Sequence, residues 1–178
     1  MKLRIEGECR MIISQIEMND YPAVLALFKA VKTELGKHNN DQWKWIYPNR
    51  FTHKTDIGNG AMYGLKEGGA LLAVVTVDSL QNRKYEHFPW KDRSGRSACI
   101  QRLAVHPREQ GRGLGKKLLH YAEQTAISQG FTSIRIEVYE TNASAIALYD
   151  KNGYEHVGEV RYPMRKSAYI TMEKQLNG

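Results

Sequence analysis

Residues 11–36 contain two apolar patterns, one typical of a β-strand and one typical of an α-helix. Residues 11–16, MIISQI, form a short apolar run that predicts a β-strand. Asn19 and Asp20 follow, and both residue types favour the N-cap of a helix. The apolar residues after them recur at helical spacing and predict an amphipathic helix that ends near Gly36: Val24, Leu25, Leu27, Phe28 and Val31.

The next segment has a weaker helical pattern and then two strand-like runs. A second, shorter helix is predicted from Asp41 to Tyr47, with Pro48 closing it. Residues 61–78 contain two apolar runs around a turn at residues 67–69, which predicts two strands. Residues 79–97 are polar and irregular, and a loop of this length is often functional or disordered. It contains three aromatic residues: Tyr85, Phe88 and Trp90.

The second half of the chain alternates strands with helices. Residues 98–105 predict a strand, and a helix follows to about Gln129, where Gly130 supplies a C-terminal cap. Residues 132–139 alternate strictly, which predicts a strand with one apolar face. The opposite face of that strand carries Arg135, Glu137 and Tyr139.

The last elements complete a mixed pattern. A helix is predicted over residues 142–151 and is stopped by Gly153, and residues 154–160 and 168–174 predict two final strands. A strand–helix–strand order implies a right-handed crossover and locally parallel pairing. The order of elements therefore predicts a mixed α/β sheet.

Three glycines alternate where the strand of residues 98–105 gives way to the next helix. Gly111, Gly113 and Gly115 stand in the stretch HPREQGRGLGKKLL. A helix N-terminus exposes unpaired N–H groups at its positive end, and glycine lets an anion approach the backbone closely. This predicts an anion site, most naturally for phosphate, although a turn that only needs flexibility is the alternative. Basic side chains nearby would add positive charge: Arg112, Lys116 and Lys117.

Two common nucleotide-binding motifs do not match this turn. A P-loop requires Ser or Thr after its Gly-Lys pair, but Lys117 occupies that position. The dinucleotide pattern G-x-G-x-x-G is also absent.

Composition and charge narrow the class of protein. The 178 residues are 42% hydrophobic and 25% charged, as in ordinary globular proteins. We therefore expect one domain over residues 1–178, with residues 1–10 as a candidate N-terminal extension. No apolar run reaches the roughly 20 residues that a membrane span needs, so we expect no membrane association. The N-terminus lacks the apolar core of a secretory signal.

Cysteine usage and net charge bear on location and partners. Cys9 and Cys99 lack metal-ligand spacing and are too few for a disulfide framework, which favours the cytoplasm and predicts no metal. The net charge of +7 attracts polyanions, either nucleic acid or a phosphorylated cofactor. No nucleic-acid-binding motif is visible, which disfavours that partner.

Two sequence blocks resemble one enzyme family. Residues 110–115, QGRGLG, match the Q/R-x-x-G-x-G/A motif of the GNAT superfamily of acetyl-CoA-dependent N-acetyltransferases. IEVYETNASAIALYDKNGYEHVG, residues 136–158, is similar to the next strand, helix and strand of that family. This second block locally resembles the members that acetylate the N-terminal alanine of a ribosomal protein. The resemblance covers residues 98–160.

The resemblance implies a fold and a co-substrate site. The acyl-CoA N-acyltransferase fold is a mixed, mostly antiparallel central sheet with a parallel, splayed strand pair and flanking helices. Acetyl-CoA would be the co-substrate, and an amine acceptor would be the second partner; a homodimer stays open. By resemblance, strand and turn backbones hold coenzyme A, and one strand amide near Leu103 polarises the thioester carbonyl. The residues implied are Leu103, Ala104, Val105, Gln110, Gly111, Arg112, Gly113, Leu114, Gly115, Lys116 and Asn142.

The resemblance also implies two catalytic residues. Glu137 corresponds to the base of the ribosomal-protein enzymes and Tyr149 to the acid that protonates the departing thiolate. Without the resemblance, Tyr149 would be a core aromatic residue. Glu137 would be a solvated edge-strand residue or an ion-pair partner of Arg135 or Lys151. Asn142 is also a plain helix N-cap candidate.

The acceptor is expected between the first helices, the long loop and the last two strands. The residues there are Trp43, Trp45, Tyr47, Tyr85, Phe88, Trp90, Arg161, Tyr162 and Arg165. The aromatic residues could instead pack helices onto the sheet. Five cations make the loop basic, which indicates either solvation or attraction of an acceptor with a carboxylate or phosphate: Arg83, Lys84, Lys91, Arg93 and Arg96.

The leading hypothesis is therefore direct transfer of an acetyl group from acetyl-CoA to a primary amine, on a small molecule or a peptide N-terminus. A non-catalytic acyl-CoA-binding regulatory module on the same fold is the alternative. His106, before Pro107, is interpreted as a surface turn residue, and Cys99 as a buried strand residue.

Overall fold

The computed structural model describes residues 10–38, 40–43, 47–81 and 83–176. Within these residues, seven strands form one sheet in the order β1-β2-β3-β4-β5-β7-β6. The strands are β1 (Met11–Gln15), β2 (Met62–Glu67), β3 (Ala70–Asp78), β4 (Ser97–Val105), β5 (Ser133–Tyr139), β6 (Glu155–Val160) and β7 (Tyr169–Gln175). The helices are α1 (Tyr21–Lys37), α2 (Arg50–Gly58), α3 (Leu114–Ser128) and α4 (Ala143–Lys151).

The pairing of these strands confirms the predicted mixed sheet. Every neighbouring pair is antiparallel except β4 and β5, which run parallel. Helix α3 provides the crossover between those two strands. No helix in the described ranges combines the length and apolar content that crossing a bilayer requires.

The sheet separates two apolar layers. On one side four of the five apolar residues predicted for α1, all except Leu25, pack against Ile57 of α2 and Ala104 of β4. On the other side α3 buries Leu114, Leu118, Ala122 and Ala126, which recur every fourth residue. Burial of these two helix faces against the sheet holds β4 and β5 in fixed positions.

The predicted helix at residues 41–47 is wrong where the structure describes it. Residues 41–43 and 47 are not helical, and residues 44–46 lie outside the described ranges. The second helix, α2, begins instead after Pro48. A residue before proline is disfavoured in the helical region, and Asn49 caps the new helix because its Oδ1 accepts from the N–H groups of Phe51 and Thr52, both at 3.0 Å.

A β-bulge bends β4 at its centre. Ile100 lies opposite Val77 and Arg102 lies opposite Thr76, so Gln101 is an extra residue without a partner in β3. An extra residue reverses which face the following side chains take. Ala98 and Ile100 accordingly join the apolar layer of α3, whereas Ala104 joins that of α1.

Candidate functional site

The central feature is a groove between β4 and β5. The two strands pair only from Ser97–Ile100 to Ser133–Ile136, and beyond these residues they diverge. The groove has a volume of about 500 Å³ and is bordered by the end of β4, the turn before α3, and the start of α4. This volume falls within the range of small-molecule binding sites.

The diverging part of β4 presents backbone groups to the groove. The His106 N–H donates to the Leu72 carbonyl of β3 at 2.8 Å. Because successive N–H groups of a strand point to opposite edges, those of Val105 and Leu103 point toward the groove. The β4 edge can therefore donate hydrogen bonds to an extended molecule.

The glycine turn presents a row of N–H groups. Gly111 and Gly113 have φ values of 81° and 74°, a conformation that glycine adopts without strain. The first helical bond of α3 runs from the Lys117 N–H to the Gly113 carbonyl. Among the described residues, nothing accepts a hydrogen bond from the six N–H groups of residues 111–116. Such a row at a helix N-terminus suits a phosphate or diphosphate.

Ten of the eleven predicted cofactor residues border the groove; Arg112 does not. The Arg112 guanidinium instead pairs with Glu67 at 3.0 Å and with Glu109. Its contribution to the turn is thus limited to its backbone. Asn142 caps α4, since its Oδ1 accepts from the Ala145 N–H at 3.2 Å, and it also borders the groove.

Glu137 lies where the groove meets a second cavity. Its carboxylate accepts a hydrogen bond from the Tyr162 hydroxyl, with O–O distances of 2.6 and 2.9 Å. Burial, followed by this hydrogen bond, raises the pKa of Tyr162, so Tyr162 remains a donor. Arg135, considered from the sequence as an ion-pair partner of Glu137, lies 3.5 Å from the Glu173 carboxylate. Glu137 is on an inner strand, between β4 and β7, and not at an edge.

Tyr149 borders the groove from α4. Its ring packs against Tyr154 at 5.5 Å between ring centres. Burial raises the pKa of Tyr149. Its hydroxyl has no hydrogen-bond partner among the described residues, yet it is not sealed from the groove. A protonated, unengaged hydroxyl here can donate to a bound molecule.

The second cavity, which we call the outer pocket, has a volume of about 580 Å³. Gln101 and Glu137 border both the groove and the outer pocket, so the two cavities meet at the β4 bulge. Four tyrosines line the outer pocket: Tyr47, Tyr85, Tyr162 and Tyr169. Two molecules bound in the two cavities would therefore meet beside Glu137.

Residues 41–43 contact the end of β5 and the starts of α4 and β7. The Tyr139 hydroxyl donates to Asp41, and the Tyr169 hydroxyl donates to the Gln42 carbonyl at 3.1 Å. The Asn142 side-chain amide donates to the Gln42 side chain at 3.0 Å. Gln42 and Trp43 of this segment border the groove. Trp45, a predicted acceptor residue, lies outside the described residues, as does Cys9.

One buried ion pair at the site was not anticipated. Arg102 donates to both carboxylate oxygens of Asp56, at 2.8 and 2.6 Å. The same guanidinium donates to the Tyr47 hydroxyl at 2.6 Å and so fixes one wall of the outer pocket. Arg102 is 5% exposed and Asp56 is 6% exposed. The signal in the sequence was a charged residue inside an apolar strand run.

The remaining candidates lie away from both cavities or have structural roles. Burial raises the pKa of Cys99 to about 12, which keeps it protonated. The His106 ring accepts from the Arg108 N–H at 3.2 Å and caps a short turn. No cation of the basic loop borders the groove or the outer pocket. In the described ranges, no three His, Cys, Asp or Glu side chains are arranged to hold a metal ion.

Comparison with known protein families yields one match over most of the chain. The model of the "Acetyltransferase (GNAT) family" matches residues 22–154.

Solved structures with the same fold include proteins described as N-acetyltransferases. A GNAT-family acetyltransferase from Streptococcus agalactiae is 24% identical, covers 99% of this chain and 100% of its own, and has a TM-score of 0.82. The ribosomal-protein-S18-alanine N-acetyltransferase of Escherichia coli is 20% identical, with coverages of 95% and 96% and a TM-score of 0.71. The PaiA N-acetyltransferase of Thermoplasma acidophilum, solved in complex with coenzyme A, is 17% identical, with coverages of 93% and 99% and a TM-score of 0.70.

Proposed function

The chain belongs to the GNAT acetyltransferase family, and on that premise we propose that it transfers the acetyl group of acetyl-CoA directly to a primary amine. We further propose that Glu137 is the base, that Tyr149 is the acid, and that the groove residues hold the co-substrate. The observation that carries this proposal is the meeting of the groove and the outer pocket at Glu137. The two substrates can then react without a covalent enzyme intermediate.

The groove suits coenzyme A in its chemistry. The free N–H row of residues 111–116 is matched to a diphosphate, which carries two negative charges. The N–H groups of Leu103 and Val105 are matched to the amide-containing arm that follows it. Acetyl-CoA supplies a thioester carbonyl for attack and a thiolate that leaves.

Glu137 would make the amine nucleophilic. An α-amino group has a pKa of about 8 and a lysine amine about 10.4, so most of either is protonated at neutral pH. The Glu137 carboxylate can take that proton, directly or through water. The Tyr162 hydroxyl holds the carboxylate at the junction of the two cavities. Tyr162 is therefore proposed as a positioning residue.

Tyr149 would donate a proton to the thiolate that leaves. Its hydroxyl stays protonated because burial raises its pKa. A thiol has a pKa of about 8.5 and a tyrosine about 10, so the hydroxyl stabilises the developing thiolate by a hydrogen bond and can pass its proton to the sulfur. The second proton that the attacking nitrogen loses then restores the tyrosine. The bond that breaks is the thioester C–S bond, and the new bond joins the amine nitrogen to the acetyl carbon.

An acceptor screen tests the proposed function. Acetyl-CoA and a panel of amines are incubated with the protein, and release of free thiol is measured together with the N-acetylated product by mass. The expected result is stoichiometric thiol and acetylated amine. Coenzyme A binding without turnover of any amine would support the non-catalytic module instead.

Replacing Gly113 with valine should weaken coenzyme A binding about tenfold or more. The site has φ of 74°, and a left-handed conformation costs a side-chain-bearing residue about 1–2 kcal/mol. If the backbone at residue 113 changes conformation to relieve that strain, the N–H groups of the turn no longer point into the groove. In addition, the valine side chain occupies the open space that faces the groove. Isothermal titration with coenzyme A measures the loss.

The matched control is Gly95→Val. Gly95 has φ of 77°, also faces open space, and lies before the opposite end of β4. It should share the strain and keep wild-type affinity. Equal affinity of both variants and the wild type would remove the anion-site assignment.

Replacing Tyr149 with phenylalanine should lower kcat about tenfold with little change in acetyl-CoA affinity. The ring still packs on Tyr154, so only the proton donor is lost. The loss is modest because a thiolate is already a tolerable leaving group. Single-turnover kinetics measure the chemical step. The control Tyr154→Phe changes a neighbouring buried tyrosine outside the groove, and an equal kcat loss there would indicate a packing effect.

A further inference from the structure

The outer pocket carries one charge of each sign. Of the described residues that line it, Glu137 is the one acid and Arg165 the one base. The rest of the lining consists of tyrosines, apolar side chains and two glutamines. A bound molecule that complements this surface has one positive group, one negative group and an apolar part.

We propose that the acceptor is a small primary amine that also bears a carboxylate and an apolar side chain, as in the apolar α-amino acids. This inference rests on the proposed function, because it assigns the amine to Glu137. It adds that Arg165 binds the carboxylate and that the rim of the outer pocket receives the side chain.

Arg165 has the donors that carboxylate binding requires. Its Nη1 donates to the Asp41 carbonyl at 2.8 Å, which anchors the guanidinium at the pocket wall. Among the described residues it forms no ion pair, and its other N–H groups have no acceptor. A planar guanidinium with several free donors matches the two oxygens of a carboxylate.

The rim of the outer pocket exposes large apolar side chains. Leu80 is 67% exposed and Met164 is 85% exposed, and both border the pocket. They are two of the few large hydrophobic residues that the described surface leaves open, and Tyr47, also at this pocket, is another. An apolar side chain that covers them removes that surface from water, which is favourable.

Three of the tyrosine hydroxyls that line the outer pocket already form hydrogen bonds within the protein. Those of Tyr162 and Tyr169 donate to Glu137 and to the Gln42 carbonyl, and that of Tyr47 accepts from Arg102. The two glutamine side chains of the lining are also engaged, Gln81 with Ser97 and Arg135, and Gln101 with Asp78 and Leu80. A sugar or another polyhydroxylated amine would therefore find few free partners here apart from Glu137 and Arg165.

Two other acceptor classes fit the charges less well. A polyamine brings at least two ammonium groups, and only one acid lines the pocket among the described residues. A peptide N-terminus brings no carboxylate beside its amine, so Arg165 would be left without a counter-charge. Both classes are included in the test.

The test compares amines that differ only in the carboxylate. Phenylalanine, leucine and methionine are each paired with the decarboxylated amine: 2-phenylethylamine, 3-methylbutylamine and 3-methylthiopropylamine. Spermidine and a short peptide with N-terminal alanine complete the panel. Thiol release with acetyl-CoA is expected to give kcat/KM about 10- to 100-fold higher for at least one amino acid than for its decarboxylated partner, the factor typical of a hydrogen bond to a charged group.

A substitution at Arg165 tests whether this residue causes the preference for amines that carry a carboxylate. Arg165→Gln should raise KM for the amino acid about 10- to 100-fold, leave kcat nearly unchanged, and leave the decarboxylated amine unaffected. A purely structural role, through the bond to Asp41, would alter both substrates equally. Lys166→Gln removes an adjacent exposed cation that does not border the pocket and should change neither.

The outcomes separate this inference from the proposed function. Turnover of the decarboxylated amines, spermidine or the peptide above that of every amino acid overturns the inference and leaves N-acetyl transfer standing. An equal effect of Arg165→Gln on both members of a pair also overturns it. Thiol release with none of these acceptors, although coenzyme A binds, counts against both.

Discussion

Replacing Glu137 with glutamine should lower kcat/KM about 100- to 1000-fold at neutral pH, within the range usual for loss of a general base. The amide keeps the size of the side chain and can still accept from the Tyr162 hydroxyl, so the geometry of the site is retained. What is lost is proton affinity. At alkaline pH the amine deprotonates in bulk solvent, and the defect should therefore shrink as pH rises toward the amine pKa of about 8 to 10.

The measurement is a pH profile of kcat/KM for wild type and variant, with the best amine from the screen. Glu140→Gln serves as the matched control, because Glu140 follows β5, is exposed, and borders neither cavity. Its profile should match that of the wild type. If the Glu137→Gln profile runs parallel to the wild-type profile at every pH, the base role is excluded.

Replacing Asp56 with alanine should destabilise the protein by about 3–5 kcal/mol. The variant leaves the Arg102 guanidinium buried, at 5% exposure, without its bidentate partner. Removing one member of a buried ion pair costs this much because the remaining charge is uncompensated. Urea unfolding, followed by circular dichroism, measures the free energy of unfolding.

Two variants test the cause of that loss. Glu155→Ala removes a carboxylate from an ion pair with Lys91 whose side chains are 62% and 57% exposed, so it should cost about 1 kcal/mol or less. In the double variant Asp56→Ala with Arg102→Met, no charge is left buried, and most of the stability should return. Equal losses for Asp56→Ala and Glu155→Ala would contradict the account.

The Arg102–Asp56 pair also links stability to the site. Arg102 donates to the Tyr47 hydroxyl at the wall of the outer pocket. The double variant should therefore recover stability without recovering the position of Tyr47, and its acceptor KM should stay raised. This separates the folding role of the pair from its role in shaping the pocket.

The order of the strands and the glycine turn before α3 could be predicted from the sequence because both are encoded locally. The alternating apolar residues of β5, the four-residue repeat of α3 and the glycines before it each lie within a few consecutive residues. Local spacing sets which face a side chain takes and where a helix can begin. The predicted mixed sheet with one parallel pair followed from that order and is confirmed.

The helix predicted from local spacing at residues 41–47 is wrong where the structure describes these residues. The aromatic and charged residues there have helical spacing, but Pro48 and the Asn49 cap shift the helix to Arg50–Gly58. The described residues 41–43 serve instead as partners of β5, α4 and β7. These partners lie about a hundred residues away in sequence, and no pattern within the segment indicates them.

Tertiary structure alone decided how the candidate site is assembled. The bulge at Gln101 turns Arg102 toward α2, whereas simple alternation would put it on the same face as Ile100. Glu137 and Tyr162 are 25 residues apart, and Arg165 and Asp41 are 124 residues apart. A sequence pattern indicates the secondary structure of one element and the face on which each of its side chains lies. The contacts between elements depend on how the whole sheet twists and packs. Residues such as Glu137, Tyr149 and Tyr162 could therefore be proposed one by one from the sequence, whereas the folded chain determined which of them meet and added the Arg102–Asp56 pair.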